Sequence, residues 1–128
     1  MDALEALLGA DTKIETEVFV KRLNAHFRVK AIDGKTLNGL KEQALHYVGK
    51  GANRKKQFDE DEFNGLLIAE ACVSPDFKNA KLLEKYGASD AGDCVQKALL
   101  AGEIMAIQEA ALRLSGFDDN ADLDEVKN

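Results

Sequence analysis

The sequence predicts an α+β fold: a small, predominantly helical bundle carrying an N-terminal antiparallel β-hairpin. Three observations predict it. Between Lys13 and Ile32 apolar and polar residues alternate with the period of a strand. From Leu37 onward apolar residues recur three and four apart, as on helices buried along one side. Asn24, Gly49, Pro75, Gly87 and Gly116 punctuate the pattern where turns and helix ends belong. The 128 residues suit one domain, expected over 1–117, with an acidic, flexible tail at 118–128.

Met1 to Leu8 forms a short amphipathic stretch with Leu4, Leu7 and Leu8 on one side. It is too short to be a stable helix alone, so it is either a docked arm or a frayed end. From Lys13 to Arg22, Ile14, Thr16, Val18 and Val20 alternate with Lys13, Glu15, Glu17 and Lys21, as in a half-buried strand. From His26 to Ile32, Phe27, Val29 and Ala31 oppose Arg28 and Lys30. Leu23-Asn24-Ala25 has the length of a hairpin loop, with Asn24 as its positive-φ residue. Two strands alone are marginal in water, so this hairpin needs a helix or another chain against it.

Leu37, Leu40, Ala44 and Val48 predict a helix capped by Asp33 or Thr36 and ended by Gly49. Lys50 to Gln57, polar and rich in cations, reads as an exposed loop. Asp59 and Glu62 have capping-box spacing ahead of a helix through Val73 that is apolar almost all round. Such a helix lies centrally or is covered on two sides. Ser74-Pro75 stops it, because proline disfavours helical geometry in the residue before it.

Three more helices are expected. Asn79 to Tyr86 turns Leu82, Leu83 and Tyr86 inward and stops at Gly87. Ser89 caps a helix to about Ala101, and Gly102 either breaks the next one from it or kinks the pair. Leu100, Ile104, Ile107, Ala111 and Leu114 make the last stripe, closed by Gly116, with Phe117 packed at its end.

Charge is segregated along the chain. Residues 1–20 carry five acids and one base (net −4). Residues 21–56 carry ten bases and two acids (net +8), and residues 57–128 six bases and sixteen acids (net −10). A basic segment between acidic ones suits self-association or an acidic partner. No apolar run approaches the roughly 20 residues of a membrane span. The first ten residues carry Asp2 and Glu5 and lack the basic start of a signal peptide. The expected location is therefore the cytoplasm, with Cys72 and Cys94 buried and reduced rather than joined in a disulfide.

Nothing in the sequence assembles a catalytic, cofactor or metal site. His26 and His46 have no Cys, His or acid at a zinc-ligand spacing. Asp59 to Asp61 lacks the glycine and closing glutamate of a calcium loop. Gly49-Lys50-Gly51 lacks the pattern of a phosphate loop, and no serine sits in a nucleophile elbow. The chain is expected to be no enzyme and to need no cofactor. Its partner-binding candidates are the hairpin edge (Val18, Val20 and Lys21), the Leu4–Leu8 arm, and the basic residues Lys50, Arg54, Lys55 and Lys56. The acidic chain carries no recognition helix or stacking motif, which argues against nucleic acid.

Taken in order, several motifs resemble the XkdN-like tail assembly chaperones of long-tailed phages and phage-derived particles. They are Phe27-Arg28-Val29-Lys30-Ala31-Ile32 leading into the Leu37–Val48 stretch, and the lysine-rich segment before Phe58-Asp59. Closer still are Val73-Ser74-Pro75-Asp76-Phe77-Lys78-Asn79-Ala80 with Leu82 and Tyr86-Gly87, then Leu99-Leu100-x-Gly-Glu and Ser115-Gly116-Phe117-Asp118. Ala101 stands where the family pattern has a proline, which weakens the local helix break.

The resemblance implies a non-enzymatic chaperone. It would bind the tape measure protein, keep it soluble for tail tube polymerisation, and be absent from the mature particle. In many such phages a ribosomal frameshift appends a domain that recruits tail tube protein, so this chain is expected to be the short form. The alternatives are a structural tail component retained in the particle, or a small nucleic-acid-binding regulator.

Overall fold

A computed structural model describes residues 2–117, so the expected acidic tail lies outside the described residues. The first hairpin follows the alternation that predicted it. β1 (Glu15–Val20) pairs antiparallel with β2 (Ala25–Lys30), from Glu15↔Lys30 to Val20↔Ala25. A 3₁₀ turn over Lys21–Leu23 joins them, with Asn24 at φ 49°, a left-handed conformation that asparagine tolerates. Val20, Phe27 and Val29 are buried, while Ile14, ahead of the strand, stays exposed.

This hairpin has a third strand that the sequence analysis missed. β5 (Cys72–Ser74) pairs with β2 through Val29↔Cys72 and Arg28↔Ser74, giving the order β1-β2-β5. The expected helix through Val73 therefore stops at Ala71. Pro75 already favours extended backbone before it. The open edge of β2 then supplies ladder bonds that another helical turn would forgo.

After β2, Asp33 rather than Thr36 is the cap of α2 (Gly34–Gln43), accepting a hydrogen bond from the Thr36 N–H at 2.8 Å. The expected continuation to Val48 and the expected loop over Lys50–Gln57 are both corrected. Leu45–Val48 forms β3 and Lys55–Phe58 forms β4, a second hairpin in register from Leu45↔Phe58 to Val48↔Lys55. The three- and four-residue spacing was coincidental at its last member: Val48 lies in a strand and is exposed. The Asp59 N–H donates to the Ala44 carbonyl at 2.8 Å and closes the hairpin's base. The β-branched and aromatic pair Tyr47-Val48 suits an extended chain.

α3 (Glu60–Ala71) is the central helix. Asp59 caps it by accepting from the Glu62 N–H, but the reciprocal half of the expected capping box is absent. The Glu62 carboxylate pairs with His46 instead. Its all-round apolar character has a direct cause. Ile68 enters a cluster with Val20, Phe27, Val29, Phe77, Cys94, Val95, Leu99, Ile104 and Ile107. Leu67 and Ala71, on another side, enter a second cluster with Ile32, Leu40 and Ala111.

α4 (Ala80–Tyr86) is capped by Asn79 and stopped by Gly87 at φ 59°. Asp90, not Ser89, caps α5 (Ala91–Ala98); Ser89 instead donates its backbone N–H to the Asp93 carboxylate. α6 (Ala101–Leu114) starts after a break at Leu99-Leu100, so Gly102 lies in its first turn and is not the break. Leu100 is exposed and outside the core stripe, whereas Ile104, Ile107 and Ala111 are buried as expected. Phe117, expected to pack, is 52% exposed. α3 crosses α5 at backbone contact: a Cβ on Gly65 would sit 2.5 Å from the Gly92 carbonyl oxygen.

Candidate partner-binding surfaces

α1 (Ala3–Gly9) begins at Asp2, whose side chain accepts from the Glu5 N–H at 2.8 Å. No residue of this helix is buried. Leu7 and Leu8 are each 76% exposed and Leu4 only slightly less, so one helix displays three solvated leucines. Scattered exposed leucines need no explanation, but these three lie together on one short helix and form a contiguous solvated apolar patch.

The first hairpin offers a different surface from the one its sequence suggested. Val18 and Val20 turn their side chains to the core, where Val20 is 4% exposed. The Ala31 N–H donates to the Ile14 carbonyl at 2.8 Å. Antiparallel bonding alternates, so Thr16, Val18 and Val20 direct their backbone groups toward β2. The open edge of β1 therefore belongs to Glu15, Glu17 and Phe19, with Lys21 in the turn beyond it. Alternation along β1 identified the buried face, but the open edge depends on the pairing register.

Beside that edge lies a groove of about 180 Å³ between β1 and α6, lined by Phe19, Lys21, Arg22, Gly102, Glu103 and Ala106 among others. Arg22 closes one end by donating Nε and a terminal nitrogen to the two oxygens of Glu103. The Arg22 guanidinium and the Leu100 N–H hold the Glu103 carboxyl below the usual carboxylate range. The pairing of these two residues was not foreseen in sequence, because it spans 81 positions.

The basic residues are carried by the second hairpin. Lys55 and Lys56 lie in β4, with Lys50 and Arg54 in the connection. Arg54 stacks 4.2 Å from the Tyr47 ring centroid, and the Lys56 ammonium lies 5.8 Å from it. Among the described residues none of these four cations pairs with a carboxylate. His46, on the opposite face, pairs with Glu62, and that hydrogen bond raises the imidazole pKa above 6.5. Tyr47 and Phe58 were missed as surface residues because Tyr47 sat inside a predicted helix.

Reactive chemistry has little to work with. Burial pushes the Cys72 thiol up to about 12, so it is no nucleophile near neutral pH. Among the described residues no three His, Cys, Asp or Glu side chains converge as metal ligands would. No helix among them is long and apolar enough to cross a membrane.

Residues 4–127 match the profile of the family described as phage XkdN-like tail assembly chaperone protein. The chain belongs to this family. Its relatives include the uncharacterized protein YqbN of Bacillus subtilis, 31% identical over 103 residues, spanning 78% of this chain and 69% of that one. The phage-like element PBSX protein XkdN of Bacillus subtilis is 28% identical over 102 residues, spanning 77% of this chain and 69% of that one. The crystal structure of YqbN superposes with a TM-score of 0.67 at 23% identity, covering 92% of this chain and 99% of that one. The fold is therefore shared with YqbN.

Proposed function

We propose that this phage tail assembly chaperone binds the tape measure protein in the host cytoplasm and keeps it soluble until tube subunits polymerise around it. It works by contact and carries out no covalent chemistry. It leaves before the particle is complete. The observation that carries this reading is α1, a helix whose three leucines bury nothing within the described chain. A long helical client exposes apolar stripes at i, i+3, i+4 and i+7 spacing. A leucine-faced helix matches such a stripe. The β1–α6 groove is a second, separate surface for the client, and the edge of β1 can take an extended segment of it. A longer, frameshifted form would add the contact to tail tube protein.

The test is co-expression of the chaperone with the tape measure protein of the same phage, scored by soluble yield and co-purification. The parent chain is expected to keep the client soluble and to co-purify with it. Leu4→Ser/Leu7→Ser/Leu8→Ser is expected to lose both effects while keeping the parent circular dichroism spectrum and melting temperature. A client that aggregates equally with and without the parent chaperone refutes the proposal. Stoichiometric amounts of the chain in purified particles, measured by mass spectrometry, would instead mark it as a retained tail component.

A further inference from the structure

The cationic hairpin has a property that client binding through α1 leaves unused. Leu45, Tyr47, Lys56 and Phe58 share one face of β3–β4, because Leu45↔Phe58 and Tyr47↔Lys56 are alternate pairs of one antiparallel ladder. Tyr47 is 57% exposed and Phe58 44% exposed. With Arg54 stacked on Tyr47, this face presents solvated apolar surface bordered by cations that meet no carboxylate among the described residues. The Arg54 guanidinium lies over the Tyr47 ring and forms no ion pair among the described residues, which leaves its N–H donors for carboxylate oxygens.

We propose that this face is the docking surface for the chain's own residues 118–128. That segment carries Asp118, Asp119, Asp122, Asp124 and Glu125 against one lysine, and its apolar residues Leu123 and Val126 stand three apart. It therefore offers acids and apolar side chains together, the complement of a surface that offers cations and apolar side chains together.

Position favours the same chain as the source. The Phe117 N–H donates to the Leu112 carbonyl at 2.9 Å, and Leu112 packs on the cluster built from Leu40, Leu67 and Ala111. Phe63 packs on that cluster too, and its ring lies 5.5 Å from that of Phe58. Apolar surface thus leads from the end of α6 to the base of the hairpin. The segment begins at the first end of that path, and eleven residues extend up to about 36 Å. Docking in cis would cover the aromatic face and neutralise its cations until a more acidic partner displaces the segment.

The experiment uses a nitroxide on Asn128→Cys in the full chain, which is selective because Cys72 and Cys94 are buried. The label is expected to broaden the amide resonances of Tyr47 and Arg54–Phe58 and to spare α4. Asp122→Asn/Asp124→Asn/Glu125→Gln should abolish that broadening, as should about 1 M salt, where screening acts over roughly 3 Å. Neither change should shift the resonances of the core. The proposal is overturned by absent or unselective broadening, or by broadening that survives neutralisation of the acids. It is also overturned if broadening occurs only when the label and the isotope are on different molecules, because the contact would then be made in trans.

Discussion

Arg22 and Glu103 form a two-pronged ion pair, with Nε and a terminal nitrogen 2.9 and 2.8 Å from the two carboxylate oxygens. Arg22 also donates to the Ala98 carbonyl at 3.2 Å, and Glu103 accepts from the Leu100 N–H at 2.8 Å. One side-chain pair thus ties the turn of the first hairpin to the end of α5 and the start of α6. That break has no capping side chain at Leu100, so Glu103 satisfies the Leu100 N–H from within the helix.

Arg22→Ala is therefore expected to loosen two places at once. Amide exchange should accelerate in the β1–β2 turn and in the first turn of α6, with α2 and the second hairpin unchanged. Because the folded state lowers the Glu103 pKa, the pair stabilises the fold above the ordinary value of 4.5. That contribution disappears as pH falls through the lowered value. Acid titration of the parent and of Arg22→Ala should converge at low pH.

Gly65→Ala is expected to destabilise the protein by about 1–3 kcal/mol, the usual cost of forcing a methyl into a packed crossing. Backbone, not a flexible side-chain tip, occupies the space: the Gly92 oxygen stands 2.5 Å from the added Cβ. Gly39→Ala meets nothing within 4 Å and serves as the control. It is expected to be neutral or stabilising in chemical denaturation, because alanine favours the helix.

His46 makes the second hairpin sensitive to pH. Its pairing with Glu62 raises the imidazole pKa in the folded state above 6.5, with Asp59 adding to the effect. The stabilisation is complete below the unfolded value and fades as pH rises through the folded one. Amide protection in β3–β4 should thus fall on going from pH 6 to pH 8. His46→Gln should remove that dependence and leave the β1–β2 ladder alone.

Both thiols are expected to be silent in the native protein. Cys72 and Cys94 are buried and unpaired, and burial raises both thiol pKa values. Ellman's reagent at pH 8 should release almost no colour until denaturant is added, then two equivalents per chain. Prompt reaction of either residue in the native state would contradict the packing of β5 and α5.

Some features were legible because they depend on near neighbours in the chain. Asn24 at the hairpin turn, Asp33 and Asp59 as caps, Gly87 as a stop, and the Ile104–Ala111 stripe each follow from a few adjacent residues. The double-sided burial of α3 also showed in its composition, since apolar residues on every side need covering on every side. The motif order from Val73 to Asp118 was enough to suggest the family, which the profile match established.

Other features arise from partners distant in sequence. Leu45–Val48 fits a helix pattern as well as a strand, and pairing with Lys55–Phe58 decided between them. Cys72–Ser74 became a strand because β2 had an edge to fill. The open edge of β1 moved to Glu15, Glu17 and Phe19 once register assigned every other peptide to β2. By itself the sequence determined the helix starts at Asp33 and Asp59, the stop at Gly87 and which faces are apolar, since those preferences are set by local backbone sterics and spacing. Only the tertiary structure decided which extended segments pair, which apolar faces stay solvated and which charges meet, because each depends on surfaces brought together by the folded chain.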